Sequence, residues 1–392
     1  MGKVLYLYEN EMPTVSLFRE AIEDPSWRFY EARKIKCIKS VSPRDLDEYD
    51  VFVLIRPQGI LPYRLAKRAR KKGRFVITYC DDDLYALNGR ARLEKYRTKY
   101  FRKTLGVSDI VQSSSPRIAE KYRDYTVTKR KAVGDTTINP ADIMPHREGN
   151  AKVKIVYAAG ASHSVLFETY VYPIINKLFD AVGNVFSLTF VGVRPHIPDV
   201  HPELEVTYVP LMPLDQYREY MNAENFDIGL APIHDNEFSK CKYFNKFFEY
   251  TLSGTVGVYS NIEPYTYVIR DGVNGYLAST DPESWYEKLR SVITDARDRQ
   301  RCLEEAQRMA AECFTSKANE EKELEQIPEM ADYETAHTRI VGAGTWRLWR
   351  AEYFVIQGFN YFVTVLEHFK QHGLKSLIRK VKDHLFQKAV YK

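Results

Sequence analysis

The stretch FDIGLAPIHDNEFSKCKYFNKFFEYTLSGTVGVYSNIEPYTYVIRDGVNGYL, Phe226 to Leu277, decides how the rest of the chain is read. It opens on an apolar run, Ile228 to Ile233, which predicts a short buried strand closed by Pro232 and the polar residues after it. Next come Lys242, Lys246 and Glu249 at spacings of four and three, which one helix would carry on a single face. Gly254 then predicts the end of that helix. Val256-Gly257-Val258-Tyr259 reads as a second strand, and Asp271-Gly272-Val273-Asn274-Gly275 as turn chemistry. Strand, helix and strand make an α/β unit whose polar end can bind an anion and a hydroxylated ring together.

Such an end suits a nucleotide diphosphate. Two ammonium groups one helical turn apart can sit against adjacent phosphates, and a nearby carboxylate can accept from both hydroxyls of a ribose diol. The same charge spacing also describes a solvated amphipathic helix whose Lys and Glu face water. The order of the pieces shifts the weight toward the donor site. The run Phe238, Lys242, Lys246-Phe-Phe-Glu249-Tyr250, Gly254, Ser260, Pro264-Tyr265 and Asp271 to Gly275 resembles the donor-binding half of retaining glycosyltransferases with the GT-B fold. It is most similar to family four, in the branch that builds bacterial surface polysaccharides.

That resemblance implies a role for each matched residue. In the "K-x-x-E-Y" element, Lys246 would contact the donor diphosphate and Glu249 would hold the ribose, with Lys242 a second diphosphate contact. Phe238, Ser260 and Tyr265 fall on the donor side of the same run. Relatives carry another Glu eight residues before the ribose Glu; here that position is Cys241, and Glu237 one helical turn earlier is the candidate substitute. Gly160 and His163, separated by two residues, lie in a segment similar to the "G-x-x-x-H" that related enzymes place beside the donor. Asp82, Asp83 and Leu84 match an acidic "D-D-L" on the acceptor side, where Arg56 ends the preceding strand.

Composition bounds the rest. At 392 residues, 44% hydrophobic and 28% charged, the chain is long enough for two ordinary domains plus an extension, and globular rather than disordered. Five scattered cysteines without a CxxC pair suit a reducing compartment better than a disulfide framework or a zinc site. The sequence runs directly into the strand Val4 to Tyr8, and no apolar run approaches the ~20 residues that span a bilayer. Charge is unevenly distributed. Residues 1–150 carry 30 Lys and Arg against 20 Asp and Glu, residues 151–365 carry 20 against 30, and residues 366–392 carry 7 against 2. Basic ends around an acidic middle imply an anionic partner for the ends. RNA binding would want exposed aromatics on a sheet or a recognised module, and neither is legible, so nucleic acid gives way to an anionic membrane surface.

Along the chain, strands alternate with helices. Arg64 to Arg74 (RLAKRARKKGR) predicts a helix with seven cations in eleven residues, before the strand Phe75 to Tyr79. Asp81, Asp82 and Asp83 sit at that strand's C-terminal end, where open α/β sheets bind ligands. They lack the spaced ligands and glycine turn of a hard-cation loop, so no metal is expected there. Asp135 to Asn150, with Pro140 and Pro145, reads as an interdomain linker, and the acidic segment Asn319 to Glu334 as surface helix or loop. From Trp346 to Phe369 the chain is rich in aromatics and then turns basic to Lys392. That pattern fits either a terminal helix returned to the first domain or an in-plane membrane anchor.

The expected architecture is α/β and GT-B: two doubly wound, Rossmann-like domains facing a cleft, plus a C-terminal helical extension. Residues 1–148 form the acceptor-side domain, 149–318 the nucleotide-sugar domain, and 319–392 the extension packing back on the first domain, its basic tail a candidate membrane contact. The resemblance implies transfer of a sugar from a nucleotide diphosphate to a lipid-linked or growing polysaccharide acceptor, with anomeric retention. No cofactor or metal is called for, and the expected location is cytoplasmic, peripheral on the inner face of the membrane. Two alternatives stay open: a sugar-nucleotide epimerase of the same fold, and a non-catalytic subunit binding nucleotide sugar or membrane within a transferase complex.

Overall fold

The computed structural model describes residues 2–23, 33–87, 92–147 and 149–333, with scattered helical positions between 347 and 373. The chain divides into two compact units, Met1–Thr137 with the chain from Ser316 onward, and Ile138–Thr315.

In the first unit six strands pair in parallel: β1 Val4–Tyr8, β2 Arg33–Cys37, β3 Val51–Ile55, β4 Phe75–Tyr79, β5 Ile110–Ser113 and β6 Arg130–Val133. Their order is β2-β1-β3-β4-β5-β6. Strands β3 (VFVLI) and β4 (FVITY) are buried at every position, as central strands of a doubly covered parallel sheet must be. Alternate residues feed two separate cores. Leu5, Phe52, Leu54 and Val76 face one side, under helix α2 (Ile60–Lys71); Val4, Val51, Val53 and Ile77 face the other, against α1 (Pro13–Glu23).

The basic run is not simply a solvated face. Helix α2 spans Ile60–Lys71 and closes at Gly73, which lies at φ 72°. Arg70 pairs with Asp109 at 2.6 Å and Lys72 with Asp47, while Arg74 pairs with Asp50 at 2.9 Å and donates to the Leu46 carbonyl. These cations fasten the helix end to its neighbours, leaving Lys67 and Lys71 exposed, with Lys95, Lys99, Arg102 and Lys103 exposed on α3 (Arg92–Leu105). The acidic segment also differs from expectation. Helix Ser316–Gln326 is part of the first unit: Glu323 pairs with buried Arg33 at 2.8 Å and accepts from Gln112, and Ile327 and Met330 enter the core. Its polar side chains answer buried polar groups of the sheet, which polarity alone does not reveal. Most of the aromatic and basic C-terminal stretch lies outside the described residues; within it, Phe354, Val355, Phe362 and Phe369 are exposed.

The second unit is another parallel six-stranded sheet: β7 Val153–Ala158, β8 Phe186–Val191, β9 Glu205–Val209, β10 Ile228–Ala231, β11 Val256–Ser260 and β12 Tyr276–Ala278. Its order is β12-β11-β10-β7-β8-β9, so the chain winds outward in both directions from β7 and β10. Helices α4 (Ser164–Tyr170), α5 (Leu214–Glu224), α6 (Asn245–Leu252) and α7 (Pro282–Thr294) flank it.

One expectation is corrected here. Lys242 does not share a helix with Lys246 and Glu249. A helical turn, Glu237–Lys240, is capped by Asn236, whose side chain accepts from the Ser239 amide at 2.8 Å; the chain then bends, and α6 begins only at Asn245. Phe244 interrupts the helix because its ring is buried between Phe248 and Phe314, and that packing outweighs helical continuity. The end of α6 follows expectation. Gly254, at φ 72°, donates to Thr251 O, and Thr255 donates to Tyr250 O at 2.9 Å, the double bond of a Schellman cap.

Candidate functional site

In the second sheet β7 and β10 are neighbours whose following connections run to opposite sides, and a crevice opens at their C-terminal ends in such folds. The loops leaving these strands carry most of the expected donor residues. After β7, Gly160 begins a tight turn, Ala161–His163, that leads into α4. Gly160 is exposed, and a Cβ built on it would meet nothing closer than His163 Nδ1 at 3.9 Å, so its face is open.

His163 is held by its backbone, which accepts from the Tyr157 hydroxyl at 2.8 Å. Its Nε2 lies 3.3 Å from Lys242 Nζ. An ammonium can only donate, so Nε2 is the acceptor and any imidazole proton sits on Nδ1. Burial and the cations of Lys242 and Lys246 push His163 below its ordinary pKa, which keeps the ring neutral. Although the bend separates them in secondary structure, Lys242 contacts the imidazole directly and the charge of Lys246 acts on it from α6.

Helix α6 is pinned to the sheet by Tyr250. Its ring lies over Gly229 of β10, where a Cβ would come within 2.6 Å, and its hydroxyl donates to the Leu230 carbonyl at 2.6 Å. Phe247 and Phe248 fill the core beside it. With that face fixed, the opposite side presents Lys246 and Glu249, which pair with each other one turn apart while remaining partly exposed. Glu249 also accepts from the Tyr217 hydroxyl of α5 at 2.9 Å.

The remaining donor-side residues divide. Phe238 and Glu237 are exposed, and Lys242 Nζ is 5.3 Å from the Phe238 ring centroid. Cys241 is turned inward and only 5% exposed. Ser260 is fully buried: the Ile233 amide donates to its Oγ at 2.9 Å and Oγ donates to the Ile233 carbonyl at 3.2 Å. Its hydroxyl fixes the loop after β10, which corrects the expectation of direct donor contact. Tyr265 is likewise core, 5% exposed with its ring 4.8 Å from that of Tyr259.

In the first unit, Arg56 and the acidic triplet follow β3 and β4. Arg56 Nη1 lies 2.9 Å from Asp82 and 3.0 Å from Asp81, and the other Asp81 oxygen accepts from Thr14. Asp83 points elsewhere: it is 4% exposed and bound by Lys121 and the Tyr122 hydroxyl, each at 2.5 Å, which hold it below the usual carboxylate range against its burial. It anchors the helix after β5, a correction to its acceptor-side reading. Glu9, at the C-terminal end of β1, was not singled out by sequence. Its carboxylate accepts from the Gln58 amide at 2.7 Å, and burial raises its pKa to about 7. Its position directly after an apolar strand was the available signal, as Tyr217's contact was not. Among the described residues no cluster of three or more His, Cys, Asp or Glu could hold a metal ion.

No protein-family profile matches the sequence, and no curated protein is similar to it in sequence. Solved structures share its fold. Anabaena HepE, solved with UDP and glucose, matches with TM-score 0.58 and 11% identity over 84% of this chain and 100% of HepE. WaaG, a glycosyltransferase involved in lipopolysaccharide biosynthesis, matches with TM-score 0.54 and 12% identity over 82% of this chain and 99% of its own. Sucrose-phosphate synthase from Thermosynechococcus elongatus matches with TM-score 0.53 and 10% identity, over 84% and 99%. The two parallel sheets of the present chain, with their flanking helices, thus form the GT-B glycosyltransferase fold.

Proposed function

We propose that this chain is a retaining glycosyltransferase of the family-four kind. It would move a sugar from a nucleotide diphosphate to a lipid-linked or growing surface polysaccharide. The observation that carries the reading is two pairs on the connections that follow β7 and β10: Lys242 Nζ 3.3 Å from His163 Nε2, and Lys246 paired with Glu249 on α6. Two cations there match a diphosphate, and the carboxylate beside them matches a ribose diol. HepE, of the same fold, has been solved with UDP-glucose, which makes uridine donors the first to test.

In this reaction the bond from the anomeric carbon to the diphosphate breaks while the acceptor hydroxyl attacks from the same face. The departing diphosphate takes the acceptor proton, so no protein side chain need act as a strong base. Lys242 and Lys246 offset the charge that grows on the leaving oxygen, the task a divalent cation performs elsewhere. Glu237, exposed one turn before Cys241, stands for the acid that relatives direct at the sugar. Arg56, with Asp82 beside it, would engage the acceptor.

An anionic membrane surface on the inner face of the cytoplasmic membrane is where a lipid-linked acceptor would be met. Supporting it are the exposed cations of α2 and α3 and the exposed apolar Val355, Phe362 and Phe369. Among the described residues no helix is long and apolar enough to cross a membrane. The inward-facing Cys241 favours a second reading, a non-catalytic subunit that binds the donor only. The deciding experiment incubates the full chain with UDP-sugars and vesicle-borne lipid-linked acceptors, following UDP release and the anomeric configuration of the product by NMR. Acceptor-dependent release with retained configuration supports the transferase. Donor binding without release supports the subunit, donor conversion without acceptor an epimerase, and an inverted product removes retention.

A further inference from the structure

Glu249 has two carboxylate oxygens, and the described residues engage one of them. Oε2 accepts both from Lys246 and, at 2.9 Å, from the hydroxyl of Tyr217. Oε1 accepts from no described residue, and the side chain is 30% exposed. The two donors differ in kind. Lys246 is a flexible cation that a bound diphosphate would draw away. Tyr217 is neutral, sits on a separate helix, and packs partly against the aromatic core under α6, with its ring 5.5 Å from Lys246 Nζ. Burial raises its hydroxyl well above the ordinary tyrosine range, so it stays a donor wherever the protein is folded. It is therefore the contact that persists when an anion arrives.

We propose that Tyr217 is a positioning residue that fixes Glu249 through Oε2 and leaves Oε1 for a ribose hydroxyl, making the site selective for ribonucleoside over deoxyribonucleoside diphosphates. The inference rests on the donor reading above and narrows it, favouring sugars carried on UDP, GDP or ADP over those on dTDP. A carboxylate clamped on one oxygen cannot turn to find a substitute partner when a ligand hydroxyl is missing. The missing bond is then felt as lost affinity. An unclamped carboxylate would swing toward water and discriminate less.

The test is calorimetric titration of the full-length protein with UDP, 2′-deoxy-UDP and 3′-deoxy-UDP. Wild type should prefer UDP over 2′-deoxy-UDP by roughly 10- to 100-fold. Tyr217→Phe should shrink that ratio to about threefold or less, through weaker UDP binding and nearly unchanged binding of the analogue. Glu249→Gln should shrink it as well. Lys242→Ala, which does not touch Glu249, should weaken all three nucleotides alike and keep the ratio. A folded Tyr217→Phe protein that retains the wild-type ratio overturns the proposal, as does a wild type with no preference. If the wild type binds none of the three, the donor reading falls and takes this one with it, whereas an unchanged ratio on top of tight UDP binding removes the clamp alone.

Discussion

On the proposed reading, replacing Lys246 by alanine removes one of the two cations that would offset the departing diphosphate, while leaving the fold in place. The pair it makes with Glu249 is a partly exposed i,i+3 contact, and such pairs contribute only about 0.2–1 kcal/mol. Helix α6 is held instead by Tyr250, Phe247 and Phe248. Catalysis should suffer much more. A unit charge about 4 Å from a phosphate oxygen, at an effective dielectric of about 20, interacts by roughly 4 kcal/mol. Removing one pre-placed donor from a developing anion costs about 2.7–4 kcal/mol, or 10²- to 10³-fold in turnover. The two estimates agree, and the loss should fall mainly on kcat, because the charge on the leaving oxygen grows toward the transition state. Steady-state UDP release with saturating acceptor reads the effect, and circular dichroism checks the fold. A folded variant with wild-type turnover would refute the reasoning.

Further consequences concern stability and surface. Glu9 is raised by burial from an unfolded value near 4.5 to about 7, so the native state keeps its proton longer. Stability from the protonated form is fully present below pH 4.5 and is lost as pH rises through 7; Glu9→Gln should abolish that loss, on the order of 3 kcal/mol between pH 4.5 and 8 by urea titration. Identical pH slopes for the two proteins would contradict it. Gly229→Ala would put a Cβ 2.6 Å from the Tyr250 ring, which its hydroxyl bond prevents from retreating. A cost of about 1–3 kcal/mol and weaker donor binding should follow; an unshifted melting temperature would mean that Tyr250 does not pin α6. Reversing Lys67, Lys71, Lys99 and Lys103 to Glu should weaken binding to phosphatidylserine vesicles by at least roughly 1 kcal/mol per site, less at high salt. Equal cosedimentation would remove this face from the membrane reading.

The fold was legible where burial is continuous. Runs such as Val51 to Ile55 and Phe75 to Tyr79 read as strands and are strands, and Gly254 ended its helix as its chemistry required. What escaped the sequence depended on distant partners. Nothing local to Lys242 announces that Phe244 will be buried and break the helix between the lysines. The polarity of Ser316 to Gln326 looked like surface because Arg33 and Gln112, its buried partners, lie about two to three hundred residues away. At the candidate site, charge spacing drew attention to Lys246 and Glu249, and the family resemblance weighted them and added His163. Sequence could not separate Ser260 and Asp83, whose polar groups are engaged inside the protein, from residues that face a ligand. Tyr217 was invisible for the same reason: its importance is a contact across 32 residues.

The claim that the edge of β7 and β10 holds a nucleotide diphosphate is tested most directly by calorimetry of the full chain against UDP, GDP, dTDP and their sugar conjugates. Wild type should bind one base class, and Glu249→Ala should lose that binding while remaining folded. Binding by no nucleotide, or binding that Glu249→Ala leaves intact, would contradict the account.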